Sequence, residues 1–318
     1  MPEAAPGPAR PKPHSAVLAA PYAGLTSQAQ GLAERAGLTP AVHALVPAAP
    51  WRWLAPAAWP APISALRLDP GVMPPLLIGA GGAAAAAIAA FRRRGHMAVQ
   101  VQNPRMALRR FDLVVANHHD EISGPNVVTI RTALHRLTPA ALAGAREYWQ
   151  PRIGLLPRPL LAVLVGGSNG RYRLDPPVAA GLAAQVAGLL EGGVGVAITP
   201  SRRTDPAVMH TLSEKLAPLG AWIWDGEGPN PYLGMLALAD AILVTQDSVS
   251  MVSEAVATAV PVFVAPLPGR SRRIGAFLDI LRREGRIRWF DGSLALWQAA
   301  PLDDTPLAAE ALRRVAGF

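Results

Sequence analysis

Short apolar runs alternate with stretches of helical spacing along most of this chain. Runs such as Leu161–Val165 and Ile242–Thr245 have the length of strands, and a polar turn and a helical stretch follow each of them. Apolar strands that alternate with helices are typical of parallel sheets covered by helices on both faces. The pattern occurs as two series within 318 residues. It predicts two open α/β domains of roughly 150 residues each, which face each other across a cleft.

Proline-rich stretches mark the expected domain boundaries. The Pro/Ala-rich start predicts a disordered tail over residues 1–12. The run PRIGLLPRP begins at Pro151 and separates the two series, so we expect an N-terminal domain over 13–150 and a second domain over 151–300. Asp303 and Asp304 precede Pro306, a pattern typical of a helix start, and predict a final helix within 301–318.

Composition excludes several classes of site. There is no cysteine, which excludes disulfides, thiolate metal sites and cysteine nucleophiles and favours a cytoplasmic location. No apolar run reaches the roughly 18 residues that span a bilayer. The net charge is +8, which suits an anionic substrate or the anionic inner face of a membrane. No basic stripe interleaved with aromatic residues occurs, so nucleic acid is not an expected partner.

In the second series, polar residues follow nearly every strand. Because the carboxyl ends of parallel strands meet at one edge of a sheet, these residues are expected to lie close together and to bind an anion. Arginine at such an edge can clamp a diphosphate and stabilise the charge that develops as it leaves. Ordinary turns and helix caps are the alternative for each residue alone. The residues are Gly167, Ser168, Ser201, Arg202, Gln246, Asp247 and Ser248.

The helix after Thr245 adds a second indication of the ligand. Its start presents unpaired backbone N–H groups and the positive end of the helix dipole, which favour phosphate. Ser250 and Glu254 lie in its first two turns. A glutamate repels phosphate but can accept hydrogen bonds from a ribose diol beside it. The combination predicts a nucleoside diphosphate, and a nucleotide-sugar is one ligand of that shape.

The first series offers weaker signals. A turn after the first strand and a helix from about Gln28 place Gly24 and Gln28 on the acceptor side of the expected cleft. His119 and Asp120 follow the strand FDLVV and could supply a general base, although structural loop residues are an equal alternative. No further ligands at convincing spacing accompany them, so no metal site is expected. GAGG at 79–82 lacks the full dinucleotide spacing, so no nicotinamide cofactor is expected.

A Pro/Trp stretch interrupts the first series at residues 47–62. Its proline density predicts an irregular arm instead of a regular helix. Trp51, Trp53 and Trp59 are expected to pack against the domain, and a membrane-facing or acceptor-facing arm is the functional alternative.

Several stretches, in order, resemble one family. LLIGAGG, FDLVVANHHD, VGGSNGRY, ITPSRRT and TQDSVSMVSEA are similar to the bacterial and plant proteins of the elongated-mitochondria, or mitochondrial fission, family. The resemblance implies the two Rossmann-like domains of the GT-B glycosyltransferases. It further implies that the second domain binds a nucleotide-sugar, that Glu254 contacts its ribose and that no bound metal is needed. Such folds commonly return their C-terminal helix, here within 301–318, to the first domain.

Two functions follow from these observations. The first is a glycosyltransferase that moves a sugar from a nucleotide-sugar to a cell-envelope or lipid-linked acceptor, with His119 or Asp120 as the base and no cofactor besides the substrate. Such a protein would lie in the cytoplasm or peripherally on the inner face of the membrane. The second, which the family name suggests, is a non-catalytic adaptor at a membrane surface. A nucleotide-sugar epimerase with bound nicotinamide is excluded, since neither Lys12 nor Lys215 has a tyrosine four residues before it.

Overall fold

A computed structural model describes residues 12–318, and residues 1–11 of the predicted tail lie outside the described residues. The chain divides into two compact units. The first comprises Met1–Arg136 and Asp304–Phe318, and the second comprises Leu137–Asp303. Within residues 12–318, no helix is both long enough and apolar enough to cross a membrane.

Each unit contains one six-stranded sheet in which all neighbouring strands are parallel. The two parallel sheets with flanking helices confirm the predicted fold class of two Rossmann-like α/β domains. The strands are β1 (Ser15–Ala19), β2 (Ala41–Ala44), β3 (Leu76–Ala80), β4 (Met97–Val101), β5 (Leu113–Asn117), β6 (Val127–Ile130), β7 (Leu160–Val165), β8 (Gly195–Pro200), β9 (Trp222–Ile223), β10 (Ala241–Thr245), β11 (Val262–Ala265) and β12 (Ile287–Trp289).

Helices cover the sheets, and short 3₁₀ turns complete the connections. Six of the twelve strands named above are buried along their whole length, as expected of parallel sheets covered on both faces. The α-helices are α1 (Ala23–Arg35), α2 (Pro62–Ala65), α3 (Gly82–Arg92), α4 (Pro139–Trp149), α5 (Pro176–Glu191), α6 (Pro206–Leu216), α7 (Tyr232–Leu238), α8 (Val249–Val256), α9 (Arg272–Arg283) and α10 (Thr305–Ala316).

The order of strands differs between the two units. In the first unit it is β2-β1-β3-β4-β5-β6, the flavodoxin-like order, which reverses direction between β1 and β3. In the second unit it is β12-β11-β10-β7-β8-β9, the order of dinucleotide-binding folds, which reverses between β7 and β10. Helices leave neighbouring strands on opposite faces at such a point, and a crevice opens at the carboxyl edge of the sheet.

The start of α1 differs from the prediction. A turn after β1 and a helix from Gln28 were expected, but the helix begins at Ala23 and includes Gly24. Backbone hydrogen bonds from Leu25 and Thr26 to the carbonyl of Tyr22 close its first turn. Leu32 is fully buried with its helical neighbours against the sheet. This packing offsets the low helix propensity of the glycine and the hydroxyl residues near the start.

The division between the units lies near residue 136 instead of residue 150. Helix α4 packs against α7 of the second unit, where Trp149 is 4% exposed and joins the core under the second sheet. Proline density had placed the linker at Pro151, after this helix. The apolar residues of α4 face the second core, which the spacing of a single amphipathic helix cannot reveal.

The C-terminal helix α10 packs within the first unit. Ala308 and Leu312 are fully buried in the cluster that also contains Leu32 of α1. The Asp304 carboxylate accepts a hydrogen bond from Arg131, with Nη2 at 2.7 Å from Oδ1. The backbone N–H of Asp304 donates to the Thr132 hydroxyl oxygen at 3.2 Å. Hydrogen bonds from Arg131 lower the pKa of Asp304 despite its burial. The ion pair with Arg131 therefore holds the start of α10 in place.

Two helical glycines of the second unit provide a matched pair for testing the packing of α7. A β-carbon on Gly234 would overlap the ring of Trp149, whereas a β-carbon on Gly181 of α5 would meet open space. Gly234→Ala is expected to lower the free energy of unfolding by about 1–3 kcal/mol through overpacking. Gly181→Ala is expected to raise it by about 0.5–1 kcal/mol, since alanine is the better helix former. Denaturant unfolding measures both, and equal values would contradict the close α4–α7 contact.

Candidate functional site

The predicted anion-binding residues lie at the switch point of the second sheet. Strands β7 and β10 are neighbours there. Gly167 and Ser168 follow β7, and the run Gln246–Ser248 follows β10. Ser201 and Arg202 follow β8, the next strand of the same sheet. The fold thus brings residues from three loops to one edge, the position at which open α/β sheets bind ligands.

Asp247 holds these loops together. Its side chain is 0% exposed, and its carboxylate accepts hydrogen bonds from Arg203 Nη2 at 2.7 Å and from the Thr245 hydroxyl at 2.7 Å. It also accepts from the backbone N–H of Gly167 at 3.1 Å. Asp247 was predicted to contact the ligand. The geometry instead favours a structural role, because both carboxylate oxygens accept hydrogen bonds from the protein. One of these bonds comes from the Gly167 N–H, which is therefore not available to a phosphate.

The two glycines after β7 allow this close approach. A β-carbon on Gly166 would overlap the Asp247 carboxylate, and one on Gly167 would overlap the backbone carbonyl of Arg203. Any larger residue would push the loop after β8 or the carboxylate away. The Gly-Gly pair therefore serves the contact between loops, which is a packing requirement.

The hydroxyls of Ser168 and Ser201 also bind protein atoms. Ser168 Oγ donates to the carbonyl of Leu174 at 3.1 Å and accepts from its N–H at 2.9 Å. Ser201 Oγ accepts from the backbone N–H of Arg203 at 3.2 Å. Both serines shape the loops in which they lie.

The residues after β10 join three segments. Gln246 donates through Nε2 to the Tyr172 hydroxyl at 3.2 Å and accepts from the Leu267 N–H at 3.0 Å. Ser248 is the N-cap of α8 and accepts from the Met251 N–H at 3.4 Å. Ser250, which was also predicted at this edge, is half-buried on the first turn of α8.

Exposed arginines surround the edge. An isolated antiparallel bridge between Tyr172 and Gly269 joins the loops after β7 and β11, and the Arg270 N–H donates to the Arg171 carbonyl at 3.1 Å. Arg171, Arg202 and Arg270 are exposed. Within residues 12–318, none of these three forms an ion pair. Their charges therefore face solvent without compensation, which favours an anion.

Sequence reasoning missed Arg171 and Tyr172 as parts of this edge. The available signal was a basic residue directly after the turn GGSNG. Only the pairing of two loops almost a hundred residues apart in the chain brings it beside Arg270.

Glu254 and Tyr232 form a hydrogen-bonded pair of titratable side chains in the second unit. Glu254 lies on the second turn of α8 and is half-buried, and its Oε2 accepts a hydrogen bond from the Tyr232 hydroxyl of α7 at 2.5 Å. Burial raises the pKa of Glu254, and the hydrogen bond from Tyr232 opposes that rise. Burial and the adjacent carboxylate raise the pKa of Tyr232 well above its ordinary value. Tyr232 gave no signal in the sequence, because it lies in the preceding helix.

The predicted first-unit residues follow two different strands. Gln28 is buried in α1, near the end of β1, and its Oε1 accepts from Gln102 Nε2 at 3.2 Å. His119 and Asp120 follow β5, and two strands of the sheet separate β5 from β1. Asp120 accepts a hydrogen bond from the Asn117 N–H at 3.3 Å as part of a capping box. This contact favours a structural role for Asp120. Gly24 lies half-buried in the first turn of α1.

Metal-binding side chains are not clustered in the part of the chain that the structure describes. Among residues 12–318, there is no group of three or more histidine, cysteine, aspartate or glutamate side chains that could hold an ion. His118 is exposed beside His119.

Several solved structures share the fold of this chain. MurG of Acinetobacter baumannii matches with a TM-score of 0.53 and 16% identity, over 96% of this chain and 90% of that chain. UDP-GlcNAc 2-epimerase of Methanocaldococcus jannaschii matches with a TM-score of 0.58 and 10% identity, over 96% and 100%. UGT89C1 of Arabidopsis thaliana, complexed with UDP, matches with 0.51 and 14%, over 96% and 90%. At these identities the likeness is one of fold, that of the two-domain GT-B enzymes.

Sequence relatives define the family. Mitochondrial fission protein ELM1 of Arabidopsis thaliana is 33% identical over 271 residues, which cover 76% of this chain and 64% of the plant protein. The chain thus spans less than two thirds of that relative. An uncharacterised protein, RP120 of Rickettsia prowazekii, is 23% identical over 76% of this chain and 80% of its own. The family model described as mitochondrial fission ELM1 matches residues 23–316. The resemblance seen in the sequence is confirmed, and the chain belongs to the mitochondrial fission ELM1 family.

Proposed function

We propose that the second unit binds the nucleoside diphosphate of a nucleotide-sugar at the carboxyl edge of its sheet, and that the protein transfers the sugar to an acceptor. The observation that supports this most is one edge that combines exposed, unpaired arginines with one desolvated carboxylate. Arg171, Arg202 and Arg270 suit the diphosphate, and Glu254 suits the ribose diol. Two of the solved proteins of this fold are named as a UDP-GlcNAc 2-epimerase and as a complex with UDP.

The chemistry follows from the charges. In glycosyl transfer, the bond from the anomeric carbon to the phosphate oxygen breaks, and the acceptor oxygen bonds to that carbon and loses its proton. The departing nucleoside diphosphate gains negative charge, which the arginines stabilise without a divalent cation. No cofactor besides the nucleotide-sugar takes part. In the first unit, His119 is the better candidate for the proton acceptor, since Asp120 is held by its capping hydrogen bond.

The acceptor and the location complete the proposal. We infer a cell-envelope acceptor, lipid-linked or on a membrane surface, and a cytoplasmic protein that works peripherally at the inner face of the membrane. The basic net charge of +8 supports this placement. A non-catalytic membrane adaptor is the second candidate, and the name of the plant relative favours it. An adaptor of that kind would bind no nucleotide.

Replacing Arg202 tests the nucleotide site without disturbing the fold. Arg202 is exposed and forms no ion pair among the described residues, so Arg202→Ala is expected to leave unfolding unchanged. Calorimetric titration with UDP should show binding by the parent protein and roughly threefold to tenfold weaker binding by the variant.

Arg282→Ala is the control for the loss of one exposed charge, since Arg282 lies at the far end of α9, where its only ion pair among the described residues is an exposed one with Asp279 at 3.8 Å. It should bind UDP as the parent does. The proposal fails if the parent binds none of the common nucleoside diphosphates, and that result would favour the adaptor. If Arg202→Ala and Arg282→Ala bind UDP equally weakly, the loss of affinity would come from the lower net charge of the protein and not from a contact with Arg202.

A further inference from the structure

One cavity of the first unit lies beside α3. It has a volume of about 370 Å³ and lies between α3, the irregular arm at residues 56–62 and the segment before β5. Trp59 and Ala89 contribute apolar walls, and Arg93, Arg109 and Arg110 contribute positive charge. We call this cavity the basic pocket. Its lining contains no aspartate or glutamate.

The charge of the basic pocket is largely uncompensated. Arg92 pairs with Asp112, with Nε at 2.9 Å from Oδ1. Arg93, Arg109 and Arg110 are exposed, and within residues 12–318 no carboxylate pairs with them. Three arginine side chains beside one cavity repel each other in the absence of an anion. Their arrangement is therefore suited to a negatively charged group.

Net charge is distributed unevenly between the units. The first unit contains 15 Lys and Arg against 8 Asp and Glu, a net charge of +7. The second contains 15 against 14, a net charge of +1. Nearly all of the total of +8 thus belongs to the unit that contains the basic pocket. A field of one sign attracts an anionic partner to that unit.

An apolar surface adjoins the pocket. Trp59 is buried, and its indole N–H donates to the carbonyl oxygens of Trp51 at 3.1 Å and Leu54 at 3.2 Å. These hydrogen bonds hold Leu54 close to the pocket wall. Trp53 is 68% exposed and Leu54 49% exposed, and the Arg52 guanidinium lies 4.5 Å from the Trp53 ring centre. Exposed tryptophan beside arginine is typical of surfaces that enter the interface of a membrane.

We propose that the basic pocket binds the phosphate headgroup of an anionic phospholipid while Trp53 and Leu54 enter the bilayer interface. Charge or apolar insertion alone gives marginal membrane binding, and the two together give stable attachment. A free phosphate ion would use the arginines but not the exposed apolar side chains. This site lies in the first unit and goes beyond the nucleotide site of the second, so each can be tested without the other.

Vesicle binding by the full chain tests the proposal. The parent protein should co-sediment with vesicles of phosphatidylcholine mixed with phosphatidylglycerol and not with phosphatidylcholine alone. Arg93→Glu/Arg109→Glu should weaken binding to the mixed vesicles roughly tenfold or more, because each basic residue near an anionic surface contributes appreciably. The matched control, Arg282→Glu/Arg283→Glu, makes the same change of charge on exposed positions of α9 in the second unit. It should bind within about twofold of the parent.

Two further arms identify the source of the phosphate group. Trp53→Ser should weaken vesicle binding several-fold. It should leave unchanged the stabilisation of the protein by inorganic phosphate, measured by thermal unfolding. Parent-like vesicle binding by Trp53→Ser would overturn the insertion of Trp53 into the bilayer interface. Parent-like vesicle binding by Arg93→Glu/Arg109→Glu, together with loss of its response to inorganic phosphate, would assign the pocket to soluble phosphates and overturn the lipid assignment. Equal loss in the two double variants, or binding of the parent to neutral vesicles, would also overturn it. Thermal unfolding of each variant confirms that the first unit is intact.

Discussion

Asp247→Ala is expected to lower the free energy of unfolding of the second unit by about 2–4 kcal/mol. The carboxylate is fully buried and connects the ends of three strands through Arg203, Thr245 and the Gly167 N–H. Its removal leaves the N–H and the hydroxyl without their partner in the interior. Arg203 is 44% exposed at its side chain and can turn to solvent, which keeps the loss below that of a fully buried ion pair.

Denaturant unfolding followed by tryptophan fluorescence measures this loss, since Trp149 and Trp222 lie in the second unit. Asp225→Ala is the matched control, because Asp225 is an exposed aspartate that accepts a hydrogen bond from the Glu227 N–H. It should change the free energy by no more than about 0.5 kcal/mol. Similar values for the two variants would mean that Asp247 does not hold the loops and is free to serve a ligand.

The fold was predictable because parallel α/β sheets produce a local signal. Strands such as β7 and β10 are almost entirely apolar and are buried over their whole length, so short windows such as Ile242–Thr245 were sufficient. Because the carboxyl ends of parallel strands lie at one edge of a sheet, the residues that follow the strands could be assigned to that edge from the strand predictions alone. The sequence therefore located the edge that combines Gly167, Arg202 and Ser248.

The roles of residues at that edge were less predictable. Whether Asp247 faces a ligand or the protein depends on how closely Gly166 approaches it from a strand about 80 residues earlier in the chain. The start of α1 was misplaced because burial of Leu32 and its neighbours overcomes local propensity. Tyr232 was missed because its contact with Glu254 joins two helices, and no local spacing records it.

Glu254→Gln is expected to separate stability from nucleotide binding. The carboxylate is desolvated, which raises its pKa, and so its ionised form is unfavourable in the folded protein. Glutamine keeps the shape and can still accept the hydrogen bond from Tyr232. At neutral pH the variant should therefore be as stable as the parent or more stable. Its affinity for UDP should fall about tenfold to a hundredfold, because the charge-assisted hydrogen bonds to the ribose are lost.

The pH dependence gives an independent check on the same carboxylate. A raised pKa means that the folded state binds the proton more tightly than the unfolded state between the ordinary pKa and the raised one. In that window the stability of the parent should fall as pH rises, while its affinity for UDP should rise as Glu254 ionises. Both trends should be weaker in Glu254→Gln. Thermal unfolding and calorimetry across this range measure them.

A loss of stability in Glu254→Gln, with UDP affinity unchanged, would assign Glu254 to packing between α7 and α8. Ionised Glu254 is unfavourable in the folded protein because it is desolvated. Hydrogen bonds to a bound ribose would explain why a glutamate occupies this position. Tyr232 limits the penalty by donating to Glu254 at 2.5 Å, yet it does not cancel the rise in pKa. Functional sites often contain residues whose burial lowers the stability of the protein but whose contacts with a ligand are favourable. The opposite responses of stability and affinity therefore bear directly on whether this edge of the sheet binds a nucleotide.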